Sequence, residues 1–164
     1  VKVLFLDIDG PVVNTRSILA NPQCDCWYAI DTIGVALLVK IAKKYDVKIV
    51  SNTARHSLDF DVMKSKLEML GLVFYGSTNL PKTLPRKQAI VEWLEANPEV
   101  EQWAAVDDEF IDHENAVLID YDEGITTKAF LSILNILDCE QDDGIIILKA
   151  NRGKANDENK LRSS

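Results

Sequence analysis

Apolar residues in this chain gather into short runs, separated by longer stretches with helical spacing. Val3-Leu4-Phe5-Leu6 is apolar on both strand faces, which marks a strand buried inside a parallel sheet. Tyr45 to Asn52 reads as a second strand and Trp103 to Glu109 as a third. Ala116 to Asp120 adds another, and Leu72 to Tyr75 a short one at the sheet edge. Between them the period changes. Asp31, a plausible N-cap, opens a helix to Lys44 with Ile33, Leu37, Leu38 and Ile41 on its buried side. A helix from about Ser57 carries Phe60, Met63, Leu67 and Leu70 and stops at Gly71. A third, starting at Lys87, buries Ala89, Ile90, Trp93 and Leu94, and Thr126 or Thr127 caps a last one reaching about Leu137. The pattern is α/β, with parallel strands whose carboxyl ends share one rim.

Those ends carry the chemistry. Asp7 and Asp9 close the first strand and are followed by Gly10; Ser51 and Asn52 close the second; Asp107, Asp108 and Glu109 close the third. Acids converging without a basic neighbour repel unless a cation lies between them, so the rim reads as a magnesium site. Its candidate ligands are Asp7, the carbonyl of Asp9, Asp107 and the adjacent Asp108. A carboxylate at Asp7 can attack phosphorus in line to give an aspartyl-phosphate. Asp9 can protonate the departing alkoxide and later take a proton from water. Ser51, with Thr53 as a competitor, would hold a phosphoryl oxygen, helped by the backbone N–H of Asn52 and those of the loop through Gly10. Lys87 would shield the remaining charge, and Lys82 competes for that role. Arg55 and His56 lie where they could reach a substrate phosphate or base. His113 reads as part of an exposed turn. Asn14 and Arg16 fall near the entrance, and Trp27 and Tyr28 are expected to pack against the first helix.

In this order the residues resemble the haloacid dehalogenase-like (HAD) superfamily of phosphotransferases. Asp7-Ile8-Asp9-Gly10 looks like its first motif, Ser51 its second, Lys87 its third and Asp107-Asp108 its fourth, over Val1 to about Leu137. Val50 to Arg55, the helix ending near Asn97-Pro98-Glu99, and Gly124 to Thr127 are similar to the small HAD domains of Swiss Army Knife RNA repair proteins. Pro11 departs from the pattern, which usually has Thr or a small aliphatic residue there, and it stiffens the loop after the acids. The resemblance implies a three-layer Rossmann-like sandwich with a central parallel sheet of about five strands in the order 3-2-1-4-5. It also implies Mg2+ as cofactor, and a nucleotide or nucleic-acid terminal phosphate as substrate. The second acid favours phosphate chemistry over dehalogenation, because a halide needs no proton to leave.

Only about forty residues separate the first acids from Ser51, too few for a large cap, so the site should be open. The 164 residues, 47% of them hydrophobic, suit one catalytic domain over 1–150, including the apolar run 145–148. A polar tail at 151–164 is expected to be disordered. A net charge of −8 argues against nonspecific nucleic-acid binding. Lysines 40, 43, 44 and 48, and the group of Lys64, Lys66, Lys82, Arg86 and Lys87, read as ordinary surface charge. Three cysteines and two histidines, poorly spaced for zinc, fit reduced thiols and a cytoplasmic setting, with no membrane span. Two other readings share these residues: a receiver-like phospho-accepting signalling domain, and a catalytically inactive HAD fold kept for binding.

Overall fold

The computed structural model describes residues 1–55, 57–78 and 84–140, leaving His56, Lys82, the 145–148 run and the 151–164 tail outside the described residues. The elements follow as β1 (Lys2–Leu6), α1 (Thr15–Ala20), α2 (Thr32–Lys44), β2 (Val47–Ser51), α3 (Ser57–Met69), β3 (Phe74–Ser77), α4 (Arg86–Ala96), β4 (Gln102–Asp107), β5 (Ala116–Leu118) and α5 (Thr127–Ile136), with a 3-10 turn at Cys26–Tyr28. The strands form one sheet in the order β3-β2-β1-β4-β5, and every pairing is parallel. This is the Rossmann-like α/β sandwich that the sequence leads one to expect. No large cap interrupts it: α1, the 3-10 turn and α2 fill the interval between β1 and β2.

Alternation along the strands divides the core in two. Leu4, Leu6, Ile49, Ala104 and Val106 face Leu38, Ile41, Met63, Leu67, Phe130 and Ile133 from α2, α3 and α5. Val3, Phe5, Val50 and Ala105 face Ile90 of α4, where Trp93 and Trp103 meet the Phe5 ring edge-on at 5.4 and 5.8 Å. With both sides covered, β1 is apolar from Val3 to Leu6, as the buried part of a central parallel strand is expected to be.

Some local expectations change. Ile33 is 65% exposed, and α2 instead buries Gly34, Val35, Leu38 and Ile41. Ile33 belongs to the first turn, and the stripe that meets the sheet begins one turn-face further round. Leu70 is also exposed, because α3 ends at Met69 and the chain reverses through Gly71 at φ +92°. The edge strand begins at Phe74, two residues later than expected. After β1 the chain makes a tight return: Val12 and Val13 N–H both donate to the Ile8 carbonyl at 3.0 Å, and Val13 bridges Asp9 on one side and Ile30 on the other.

A buried polar knot fixes this return. Asn14 caps α1, and its side-chain amide donates to the Gly10 carbonyl at 3.1 Å and to Asp31 Oδ2 at 3.0 Å. Asp31 caps α2 through the Gly34 N–H at 3.1 Å and receives Arg16 at 2.5 Å. Burial works against ionisation of Asp31, but Arg16, Asn14 and the Gly34 N–H outweigh it and hold the carboxyl below its ordinary range. Asn14 and Arg16 therefore brace the loop and do not line an entrance. Gly124, at φ +67°, lies against this knot, where a Cβ would overlap the Asn14 amide.

Asp31→Ala removes the cap and strands Arg16, so the unfolding free energy measured in urea should fall by about 2 kcal/mol. Because the folded carboxyl titrates below its unfolded value, the difference from wild type is expected in full at neutral pH and should shrink as pH falls through the acid range.

Candidate active site

Register brings the acids together. Leu6 of β1 pairs with Val106 of β4, so the next residue on each strand, Asp7 and Asp107, emerges on the same rim, with the Asp7 N–H donating to the Val106 carbonyl at 3.2 Å. Ile119 N–H holds the Asp107 carbonyl at 3.0 Å from the other side. One carboxylate oxygen each from Asp7, Asp107 and Asp108 lie within 4.8 Å of one another. Asp7 is 1% exposed, and among the described residues neither of its carboxylate oxygens has a hydrogen-bond partner, nor has Asp107 Oδ2. Asp107 Oδ1 accepts the Glu109 N–H at 2.9 Å. Gly10 is required beside them: its φ is +100°, and a Cβ there would lie 2.8 Å from that of Asp108.

Burial pushes the Asp7 carboxyl up to about 7, with Asp9 adding to the cost and Arg86 opposing it, and burial together with the Asp7 charge pushes Asp107 up to about 8. Asp108 is raised as well, again chiefly by burial. Such an array of desolvated oxygens fits a hard divalent cation, and Mg2+ would find oxygen ligands in Asp7, Asp107 and Asp108.

One arginine offsets part of this charge. Arg86, the first residue of α4, places Nη1 3.4 Å from Asp7 Oδ1 and 3.3 Å from Asp107 Oδ2, while its Nε donates to Glu109 at 2.9 Å. Nη1 also donates to the Asn52 carbonyl at 3.1 Å. Burial opposes its protonation, but Glu109, Asp7 and Asp107 outweigh that and hold its pKa above the usual value. Lys87 does not join the cluster. Its ammonium donates to the Asp112 carbonyl at 2.7 Å, since adjacent helix positions diverge by about 100° and only Arg86 faces the rim. Pattern alone marks both residues as basic groups in one first turn. The helix phase, set by burial of Ala89 and Ile90, is the signal that separates them.

Ser51 ends β2 wholly buried, its hydroxyl without a hydrogen-bond partner among the described residues. Thr53 accepts the Arg55 N–H at 3.3 Å. Two backbone donors expected to face substrate are used within the fold: Asn52 N–H donates to the Leu6 carbonyl at 2.8 Å and Gly10 N–H to the Val13 carbonyl at 2.7 Å. The Asn52 side chain accepts from Thr78 at 2.8 Å. Asn52 and Gly10 thus shape the rim through their carbonyl and backbone geometry.

Asp9 stands apart from that trio, half-exposed and gripped by Arg55, with Nη2 at 2.6 Å from Oδ1 and Nε at 3.1 Å from Oδ2. Arg55 continues to the Trp27 carbonyl at 2.7 Å and lies over the Trp27 ring, 5.5 Å from its centroid. Trp27 is 59% exposed, so it does not pack against α1 as expected; Tyr28, by contrast, packs against the larger core. His113 accepts the Asn115 N–H in a turn and lies beside Trp103.

A parallel sheet ordered 3-2-1-4-5, with acids at the tips of its central strand and the next, is the arrangement of a HAD-like domain. The chain belongs to the family described as the HAD domain in Swiss Army Knife RNA repair proteins, whose model matches residues 3–130. No curated protein and no solved structure matches it. Among the described residues, no helix is long and apolar enough to cross a membrane.

The raised carboxyls set the pH response of the metal-free protein. Groups whose folded pKa exceeds the unfolded value favour the fold at low pH, and that contribution is lost as pH rises toward 7–8. With chelator present, Tm should fall by roughly 5–10 °C between pH 5 and 8; millimolar Mg2+ should restore most of it at pH 8, and Asp107→Asn should flatten the profile. Gly10→Ala, which displaces Asp108, should weaken the Mg2+-induced rise in Tm.

Proposed function

We propose that the protein is a magnesium-dependent phosphomonoester hydrolase working through an aspartyl-phosphate, with a nucleotide or a nucleic-acid terminal phosphate as substrate. The observation that carries this reading is the buried Asp7 carboxylate, unpartnered by hydrogen bonds among the described residues and set against Asp107, Asp108 and the Arg86 guanidinium. A structural carboxylate buried so deeply would be expected to have its lone pairs satisfied. A deeply buried acid facing one guanidinium at the carboxyl edge of a parallel sheet is placed to react.

In this reading Asp7 Oδ attacks phosphorus as the ester P–O bond breaks, and Asp9 gives its proton to the departing oxygen. In the second half Asp9 takes a proton from water as that water attacks the acyl phosphate, which returns Asp7 as a carboxylate and releases inorganic phosphate. Arg55 donates to both Asp9 oxygens, the geometry of the carboxylate that takes the proton from water; donation in the first half requires Asp9 to turn one protonated oxygen out of that grip. Ser51 donates to a phosphoryl oxygen, and Arg86 supplies the positive charge that the sequence reading gave to a lysine. Bound Mg2+ would favour the ionised form of Asp7 and lessen its repulsion from the phosphate. The substrate class is supported by the RNA repair proteins in which this domain family occurs. A receiver-like reading fits less well, because receiver-type sheets run 2-1-3-4-5 and here both acids of the first motif follow β1.

Phosphate release from a panel of phosphomonoesters with Mg2+, including 5′- and 3′-phosphorylated oligonucleotides, tests the reading. Asp7→Asn should lose about 10³-fold or more in kcat. Arg86→Met should lose about 10²-fold in kcat/KM, whereas Lys87→Met should stay within about two-fold. Equal release by wild type and Asp7→Asn would overturn the assignment, and a large loss only in the Lys87 variant would move the cation's role away from Arg86.

A further inference from the structure

Beside Asp9 an open pocket of about 350 Å³ is lined by Val13, Ile18, Trp27, Arg55 and Tyr121 as well as Asp9 and Cys26. None of the catalytic roles above uses it. Its composition is selective. The two charged groups, Asp9 and Arg55, are bonded to each other, and apart from the Cys26 thiol the remaining lining is aliphatic and aromatic. Trp27 reaches solvent although it is a large apolar ring, and it is kept there: Asp25 caps its turn at 3.1 Å, Arg55 anchors its carbonyl, and the guanidinium lies over its ring. Tyr121 supplies a second partly exposed ring, carried on the loop whose carbonyls receive the N–H groups of Thr15 and Arg16. A sugar or peptide leaving group would call for several uncommitted polar partners. A flat aromatic ligand calls for accessible aromatic rings beside a guanidinium, and Trp27, Tyr121 and Arg55 provide these.

Position makes the pocket part of the reaction. The residue that protonates the leaving oxygen must stand on the leaving-group side of the phosphorus, and Asp9 borders this pocket. The Arg55 guanidinium bridges the two, bonded to Asp9 at 2.6 Å and lying over the Trp27 ring.

Resting on the phosphatase reading, the geometry points to a nucleobase subsite, in which the base of the phosphorylated nucleoside stacks on Trp27 beside Tyr121. The base belongs either to a free mononucleotide or to the terminal residue of a polynucleotide. The chemistry is shared.

The test compares kcat/KM for nucleoside monophosphates, short 5′- or 3′-phosphorylated oligonucleotides, and ribose 5-phosphate, which has the same phosphate and sugar but no base. The wild type should prefer the base-bearing substrates. Trp27→Ala should reduce that preference about ten-fold or more, through KM, and Trp27→Phe should retain most of it. Better turnover of mononucleotides than of oligonucleotides, or the reverse, identifies the source of the base. A Trp27→Ala variant that keeps the wild-type preference overturns the subsite while leaving the phosphatase reading intact.

Binding is measured separately, through quenching of indole fluorescence by adenosine monophosphate without turnover. Quenching in the wild type that disappears in Trp27→Phe supports the subsite, even if no phosphomonoester is hydrolysed and the catalytic reading fails. No quenching, or quenching that persists in Trp27→Phe, rejects it.

Discussion

Mutual repulsion among carboxylates denied water is the constraint around which this molecule is arranged. Asp7, Asp107 and Asp108 would separate if their backbones could yield. They cannot, because the strands that deliver Asp7 and Asp107 lie in the middle of a sheet covered on both sides. Rigidity is thus a condition of the site as much as of the fold. Arg86 relieves part of the repulsion, held by Glu109 and by the Asn52 carbonyl so that it neither swings away nor collapses onto a single acid. What it leaves unrelieved is negative charge that a cation could offset.

Support for the rim is layered outward from that cluster. Gly10 lets the loop after β1 approach Asp108, Asn14 ties the Gly10 carbonyl to Asp31, and Asp31 anchors the start of α2 and receives Arg16. The polar knot lies behind the loop and touches no candidate ligand, yet it fixes the return that leaves Asp9 on the outer side. Arg55 meets Asp9 there from the segment after β2. Two acids two residues apart thereby occupy different settings: Asp7 buried among charges, Asp9 half-exposed beside one arginine. Environment, and not residue type, sets the two carboxyls apart.

Much of this was legible in the chain. The all-apolar β1 run and the acids at the strand tips are local patterns, and parallel pairing follows from them with few alternatives. Helix phase was harder to read. Ile33 and Leu70 satisfy the spacing but fall at helix ends, where one residue of displacement turns a side chain outward. The same issue separates Arg86 from Lys87: both open α4, and only packing of Ala89 and Ile90 decides which one faces the acids. The Asn52 and Gly10 N–H groups appeared available because a sequence does not show which donors the sheet and turn will consume. Trp27 was the largest departure, since an aromatic residue is expected inside unless a specific contact holds it out, and that contact, Arg55, comes from a distant segment.

Because, among the described residues, no two neighbouring strands are joined by a hairpin, each pairing waits for an intervening stretch of chain to be laid across the sheet. Asp7 and Asp107 are a hundred residues apart in sequence and become neighbours only when β4 docks against β1. High contact order of this kind slows folding, and it also defers assembly of the charged centre until the apolar framework can hold it. A divalent ion would thus recognise the finished molecule and would offer little guidance to the folding chain, making metal uptake a late marker of maturation.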